Sequence, residues 1–297
     1  MSIISALRRR RRTAGVLSSL AVAAILLPTG AAAASATPAA VAATAPAVSA
    51  DCHNEVKPTI VLVHGAWATS SSWSGVVTKL INAGYTVQAA PNPLRGLTAD
   101  SEYLKSYLSS IAGPIVLVGH SYGGAVITRA ATGNKNVKAL VYDDAYIPDT
   151  GEDISTLSTA ASALAKAKTD GLASVFQLAP YPGAPKDVYD TYLLPSVVFS
   201  SFAPDVPHAQ AAVVAATQDP TSLIALGEPL SGVPAWKSIP SWDVVGRQDK
   251  IIPEAAQLNM AHRAKSHITE INSSHVSLIS HPNAVAAVIV QAARATD

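Results

Sequence analysis

Across 297 residues there is one cysteine, Cys52, so no intramolecular disulfide framework is available. Charge is scarce: Asp, Glu, Lys and Arg make up 14% of the chain, against roughly 25% in typical soluble domains. Aromatic residues reach only 5%. Alanine fills the deficit, and a sparsely charged surface follows. No acid precedes Asp51, while Arg8 to Arg12 form an unbroken cationic block. Without those five arginines, the 21 cations fall to 16 against 20 acids, leaving a mildly acidic remainder. No Lys/Arg stripe is left to bind nucleic acid or an anionic membrane. Also missing are H-E-x-x-H, paired C-x-x-C, a Walker sequence and a strand-linked G-x-G-x-x-G, so neither a metal nor a cofactor is expected. With 49% hydrophobic residues the chain can fill a sizeable core, which excludes a disordered or collagen-like protein.

The first segment reads as an address rather than as fold. Arg8 to Arg12, the uncharged stretch Ala14 to Leu27, Pro28 and small residues through Ala36 match the regions of a secretory signal peptide, residues 1–36. The stretch before Pro28 is shorter than the ~20 residues that span a bilayer, so no stable membrane insertion is expected after cleavage, and the product is expected to be extracellular. Residues 37–56 form an Ala/Pro-rich spacer expected to be disordered. Cys52 falls within it and is read as a thiol without a role.

From residue 57 onward, apolar runs alternate with helical patterns. Strands are expected at Pro58 to Val63, Tyr85 to Ala89, Pro114 to Val118 and Val137 to Tyr142, with helices Trp73 to Ala83, Ala99 to Ile111 and Tyr122 to Thr132 between or after them. This rhythm predicts an α/β fold, a doubly wound, mostly parallel sheet with helices on both faces. It stops near Tyr146. Alanine-rich helical stretches at Ile154 to Lys168 and His208 to Thr217, separated by proline turns, then suggest an inserted helical cap over about residues 146–234. Strand Ser241 to Val245, helix Glu254 to Ala264, strand His267 to Ile271 and helix Asn283 to Ala295 complete the domain, residues 57–297.

Gly119-His-Ser-Tyr-Gly123 fits G-x-S-x-G and falls between a buried strand and a helix, where a tight turn would lift the Ser121 hydroxyl above the sheet. The strained turn crowds the positions two before and two after, which is why glycine is needed at both. Serine is a weak nucleophile near neutral pH and needs a base, itself held by an acid. Among the late histidines, His275 lies in the loop after the last strand, with His281 as runner-up. Asp249, after the strand Trp242 to Val245, is the candidate acid, and Asp143 or Asp144 is its rival. Two N–H donors must face the developing oxyanion. Tyr122 supplies one from the turn, and Ala66, after Gly65 in His64-Gly-Ala-Trp67, supplies the other. His64 is expected to shape that loop, and Trp67 is a candidate substrate-binding wall.

Gly119 to Gly123, His64 to Trp67, Gly246-Arg-Gln-Asp249 and Ser274-His275 together resemble the α/β-hydrolase superfamily. The closest likeness is to the branch of small carboxylesterases, plant methylesterases and hydroxynitrile lyases. That resemblance implies a cofactor-free serine hydrolase with Ser121, Asp249 and His275 as triad and Ala66 and Tyr122 as oxyanion donors. The hydroxynitrile lyases carry lysine after the triad histidine, where this chain has Val276, and the dehalogenases and epoxide hydrolases carry aspartate where it has Ser121. The expected partner is a small or medium apolar ester. A lyase or perhydrolase on the same scaffold, or a small-ligand-binding protein that keeps the fold, is the alternative.

Overall fold

The computed structural model describes residues 57–296. The expected signal peptide, the spacer and Cys52 lie outside the described residues. β1 (Thr59–Val63) carries only β-branched and aliphatic side chains, and Ile60 to Val63 are buried, as a strand covered on both faces requires. From it α1 (Ser74–Asn82) leads to β2 (Val87–Ala90), α2 (Leu97–Ser109) to β3 (Ile115–His120), and α3 (Tyr122–Ala130) to β4 (Val137–Asp143). An irregular region follows. It contains α4 (Ile154–Leu157), α5 (Lys166–Thr169), β5 (Phe176–Ala179), β6 (Asp190–Leu193), α6 (Pro195–Val197), α7 (His208–Ala216), β7 (Thr221–Ser222) and α8 (Leu223–Gly227). The main sheet then resumes with β8 (Ser241–Gly246), α9 (Glu254–Ala264), β9 (His267–Ile271), α10 (Ser277–Ser280) and α11 (Pro282–Arg294).

The six-stranded sheet runs in the order β2-β1-β3-β4-β8-β9, and every neighbouring pair is parallel. α1 packs on α11 and α2 on α3, giving the two helical layers of a doubly wound fold. The chain goes out from β1 to β2 and returns past β1 to β3, so the strand order reverses at β1/β3. The crevice outside the carboxyl ends at such a point is where open α/β sheets hold ligands. His64 to Trp67 and Ser121, which follow β1 and β3, lie at that reversal.

The inserted region differs from the expected helical cap. The stretch Ile154 to Lys168 is not one helix: α4 ends at Leu157, the backbone of Ser158 is extended, and a 3-10 turn at Ala163–Ala165 begins anew behind Ser162. The Ser162 hydroxyl accepts from Leu164 N–H and donates to the Ile251 carbonyl, so its side chain competes with the helix for backbone partners. β5, β6 and β7 form an antiparallel three-stranded sheet that the alanine-rich composition conceals. Side chains stitch this cap to the core. Arg95 pairs with Asp190 at 2.7 Å, and Arg263 grips both oxygens of Glu152 at 2.6 and 2.7 Å. Among the described residues, no helix is long and apolar enough to cross a membrane.

Candidate active site

Ser121 sits between the last residue of β3 and the first of α3, at φ 52° and ψ −123°. A non-glycine residue in such a region stores ~1–3 kcal/mol and persists only where its surroundings over-determine it. They do so here: Ser121 N–H donates to Asp143 O, and its carbonyl accepts from Gly124 and Tyr146 N–H. A Cβ on Gly119 would lie 2.5 Å from Gly123 O, and one on Gly123 would lie 2.5 Å from Val63 O. Both glycines are therefore required by close backbone approach. A Cβ on Gly65 would come within 2.6 Å of Ser121 Cβ, so the loop after β1 is pressed against the serine itself.

His275, in the loop between β9 and α10, brings Nε2 to 2.8 Å from Ser121 Oγ and Nδ1 to 2.7 Å from Asp249 Oδ2. With Nδ1–H donating to the carboxylate, Nε2 is left to accept the Ser121 hydroxyl proton. Asp249 is oriented in turn by N–H donors from Ile251 (2.7 Å), Ile252 (2.9 Å) and the Gln257 side chain (2.9 Å). Burial pushes its carboxyl up, and the backbone donors of Ile252 and Ile251 oppose that shift. His275 is fully buried, and desolvation lowers its pKa to about 3, so the neutral imidazole is the resting form.

Asp143 and Asp144 do not reach His275. Asp143 Oδ1 accepts from the Ser277 hydroxyl at 2.6 Å, and Asp144 Oδ2 accepts from Ser277 N–H at 3.2 Å, two residues beyond the histidine. Asp243, on β8, is buried with both carboxyl oxygens unpartnered among the described residues. Burial first, and neighbouring carboxylates second, raise all three of these acids. His281 turns Nδ1 to the Ser280 hydroxyl at 2.9 Å. His64 bonds the Gly65 carbonyl at 3.0 Å through Nδ1, while its own carbonyl accepts from Asn92. Trp67 is 2% exposed, donates Nε1–H to Thr191 Oγ1 at 3.0 Å and stacks on Phe176 of the cap.

The N–H groups of Ala66 and Tyr122 donate to no other group among the described residues. One lies in the loop pressed on Ser121 and the other starts α3, where helix N-terminal N–H groups are free to receive an anion. Sequence reasoning missed His120. Its Nε2–H donates to the His275 carbonyl at 2.8 Å, and its ring lies 5.0 Å from the His275 ring. The signal was its place beside Ser121, at the end of a strand whose carboxyl edge faces the histidine loop. Among the described residues, no group of three or more His, Cys, Asp or Glu is arranged to hold a metal ion.

Residues 60–288 match the alpha/beta hydrolase family. The chain belongs to that family. Among its relatives is a carbendazim hydrolyzing esterase of Nocardioides sp. (strain SG-4G), 32% identical over 110 residues. That match spans 33% of this chain and 46%, about half, of the esterase. The alpha/beta hydrolase nvfD of Aspergillus novofumigatus (strain IBT 16806) is 24% identical over 259 residues, 80% of this chain and 97% of that one. The crystal structure of polyneuridine aldehyde esterase superposes with a TM-score of 0.64 at 20% identity, covering 80% of this chain and 99% of that one. At that identity the likeness speaks for the fold. Together these matches place the chain among the alpha/beta hydrolases.

Proposed function

We propose that this alpha/beta hydrolase is a secreted serine esterase that cleaves small or medium apolar carboxylic esters through an acyl-enzyme on Ser121. The observation that carries the reading is the continuous bonded chain from Ser121 Oγ through His275 to Asp249, at 2.8 and 2.7 Å. Ser121 Oγ attacks the ester carbonyl as His275 Nε2 takes its proton. The carbonyl oxygen, now negative, is held by the N–H groups of Ala66 and Tyr122. His275 then protonates the departing alcohol, leaving the acyl group on Ser121. Water, deprotonated by the same Nε2, attacks the acyl carbon, and the acid leaves as the proton returns to Ser121. Asp249 keeps Nδ1 protonated throughout and stabilises the transient imidazolium. These groups complete the cycle without a cofactor.

The apolar preference is supported by a cavity of about 200 Å³ inside the cap, lined by Ile154, Leu164, Leu172, Phe176, Leu223 and Leu226. Phe176 of that lining stacks on Trp67, the residue after the Ala66 donor. Export to the extracellular space is supported by the Arg8 to Arg12 block and the apolar stretch behind it. The alternative lyase reading lacks support at Val276, an apolar side chain buried beside the histidine. Hydrolysis of p-nitrophenyl esters of increasing acyl length by wild type and Ser121→Ala tests the proposal. Turnover that peaks at short or medium chains and disappears in Ser121→Ala is expected. Folded wild-type protein that hydrolyses no ester in the series would remove the esterase reading.

A further inference from the structure

The loop that carries His275 is tethered on both flanks by carboxylates from other elements. On the core side, Asp143 and Asp144 hold Ser277. On the cap side, Asp205 Oδ2 accepts from Ser274 N–H at 2.9 Å, and Oδ1 accepts from the Ser274 hydroxyl. Ser274 is fully buried and immediately precedes the histidine. Asp205 follows the single π-helical turn Val198–Phe202, and Phe202 of that turn lays its ring 5.1 Å from the His275 ring. His281 comes within 3.8 Å of Asp205 Oδ2 from the far side of the same loop. The cap thus touches the imidazole face with one residue and grips its backbone three residues later.

We infer that Asp205 is a positioning residue that lets the cap set the orientation of His275 between Ser121 and Asp249. The inference rests on the esterase reading only for its kinetic consequence; the geometric part stands without it. A carboxylate suits the task because two donors of one residue, a main-chain N–H and a hydroxyl, must be received side by side. Each oxygen takes one, which fixes both the position and the rotation of the Ser274 peptide. The imidazole is attached one peptide further on, and its two bonds of 2.8 and 2.7 Å tolerate little displacement. An asparagine can reproduce the grip, with its oxygen receiving the N–H and its amide donating to the hydroxyl oxygen, while removing the charge. An alanine cannot. The pair of substitutions therefore separates positioning from electrostatic support of the imidazolium.

The test follows the imidazole ¹⁵N signals of His275 in the full mature protein, assigned by their loss in His275→Ala, beside kcat and KM for a p-nitrophenyl ester. Wild type is expected to show a single tautomer protonated at Nδ1. Asp205→Ala is expected to show mixed tautomers and a kcat lower by roughly tenfold to hundredfold, with KM within about twofold, since a misplacement of ~1 Å at a reacting group costs about that much. Asp205→Asn is expected to restore the single tautomer and most of kcat. Should Asp205→Ala fail to fold, Ser274→Ala, which keeps the main-chain donor, is expected to mix the tautomers and lower kcat by roughly threefold to tenfold. Unchanged His275 signals in Asp205→Ala or Ser274→Ala would overturn the positioning role, as would their disturbance in Asp205→Asn. If wild type hydrolyses no ester, yet the His275 signals still respond to Asp205→Ala and not to Asp205→Asn, the positioning role stands and the esterase reading falls.

Discussion

The turn at Ser121 and the cap beyond it are built by opposite means. At Ser121 a strained residue is enclosed by backbone atoms that leave no space, and each neighbouring glycine is there because a methyl group would collide. In the cap, strands of two to four residues pair antiparallel, and the glycines at Gly171 and Gly183 sit at positive φ with nothing within 4 Å of an added Cβ. Geometry at the first site is over-determined by closely approaching backbone, Val63 O and Asp143 O among it. At the second it depends on side-chain partners, such as Trp67 on Thr191 and Asp205 on Ser274.

The sharpest way to test this division is to strike each region in turn. Ser121→Ala removes one oxygen from the rigid turn and is expected to lower kcat by roughly four to six orders of magnitude in an ester assay while the fold persists. Gly123→Ala places a methyl 2.5 Å from Val63 O, and neither backbone can yield. A loss of at least ~3 kcal/mol in chemical denaturation is expected. The matching change in the cap, Gly183→Ala, meets only the positive φ of 80° and should cost ~1 kcal/mol. Equal costs at the two glycines would erase the contrast. At the seam, Thr191→Val strands the buried Trp67 Nε1–H, with an expected cost of ~1–3 kcal/mol in thermal unfolding.

The smallest expected effect is an absence of change with acid. Burial holds the His275 pKa at about 3, below the 6.5 of a free imidazole, so the folded protein keeps its base neutral through that interval. Between pH 7 and pH 5, kcat/KM should fall by less than about twofold, whereas a histidine at 6.5 would lose roughly 25-fold. The same shift makes the unfolded chain the better proton acceptor in this window. The stability contributed by neutral His275 is complete above pH 6.5 and is lost as pH falls toward 3. A pH and rate profile with its acid limb near 6.5 would show that water reaches the imidazole.

Sequence legibility follows the same line. β1, β3 and β4 are short, mostly buried apolar runs, and their order and approximate ends could be read because the signal is local. Ser121, His275 and Asp249 were readable for a related reason: each follows a recognisable strand at the sheet's carboxyl edge. The boundary of β2 moved from Tyr85 to Val87 because Tyr85 N–H is taken by the end of α1, at Leu80 O. The three-stranded sheet of the cap was not legible. Four residues such as Phe176 to Ala179 carry too little alternation, and their partner Asp190 to Leu193 is fixed only by pairing. Asp205 was invisible as well, since nothing near it in sequence names Ser274, 69 residues away.

Covalent trapping of the serine is the most direct measurement of the central claim. Purified protein is treated with a reactive alkyl phosphonate, and the adduct is located by peptide mass spectrometry in wild type, Ser121→Ala and His275→Ala. A single adduct on Ser121 in wild type, absent from Ser121→Ala and slowed by orders of magnitude in His275→Ala, is the predicted result. A folded wild type that stays unlabelled, or that labels equally fast without His275, would contradict an activated serine at this turn.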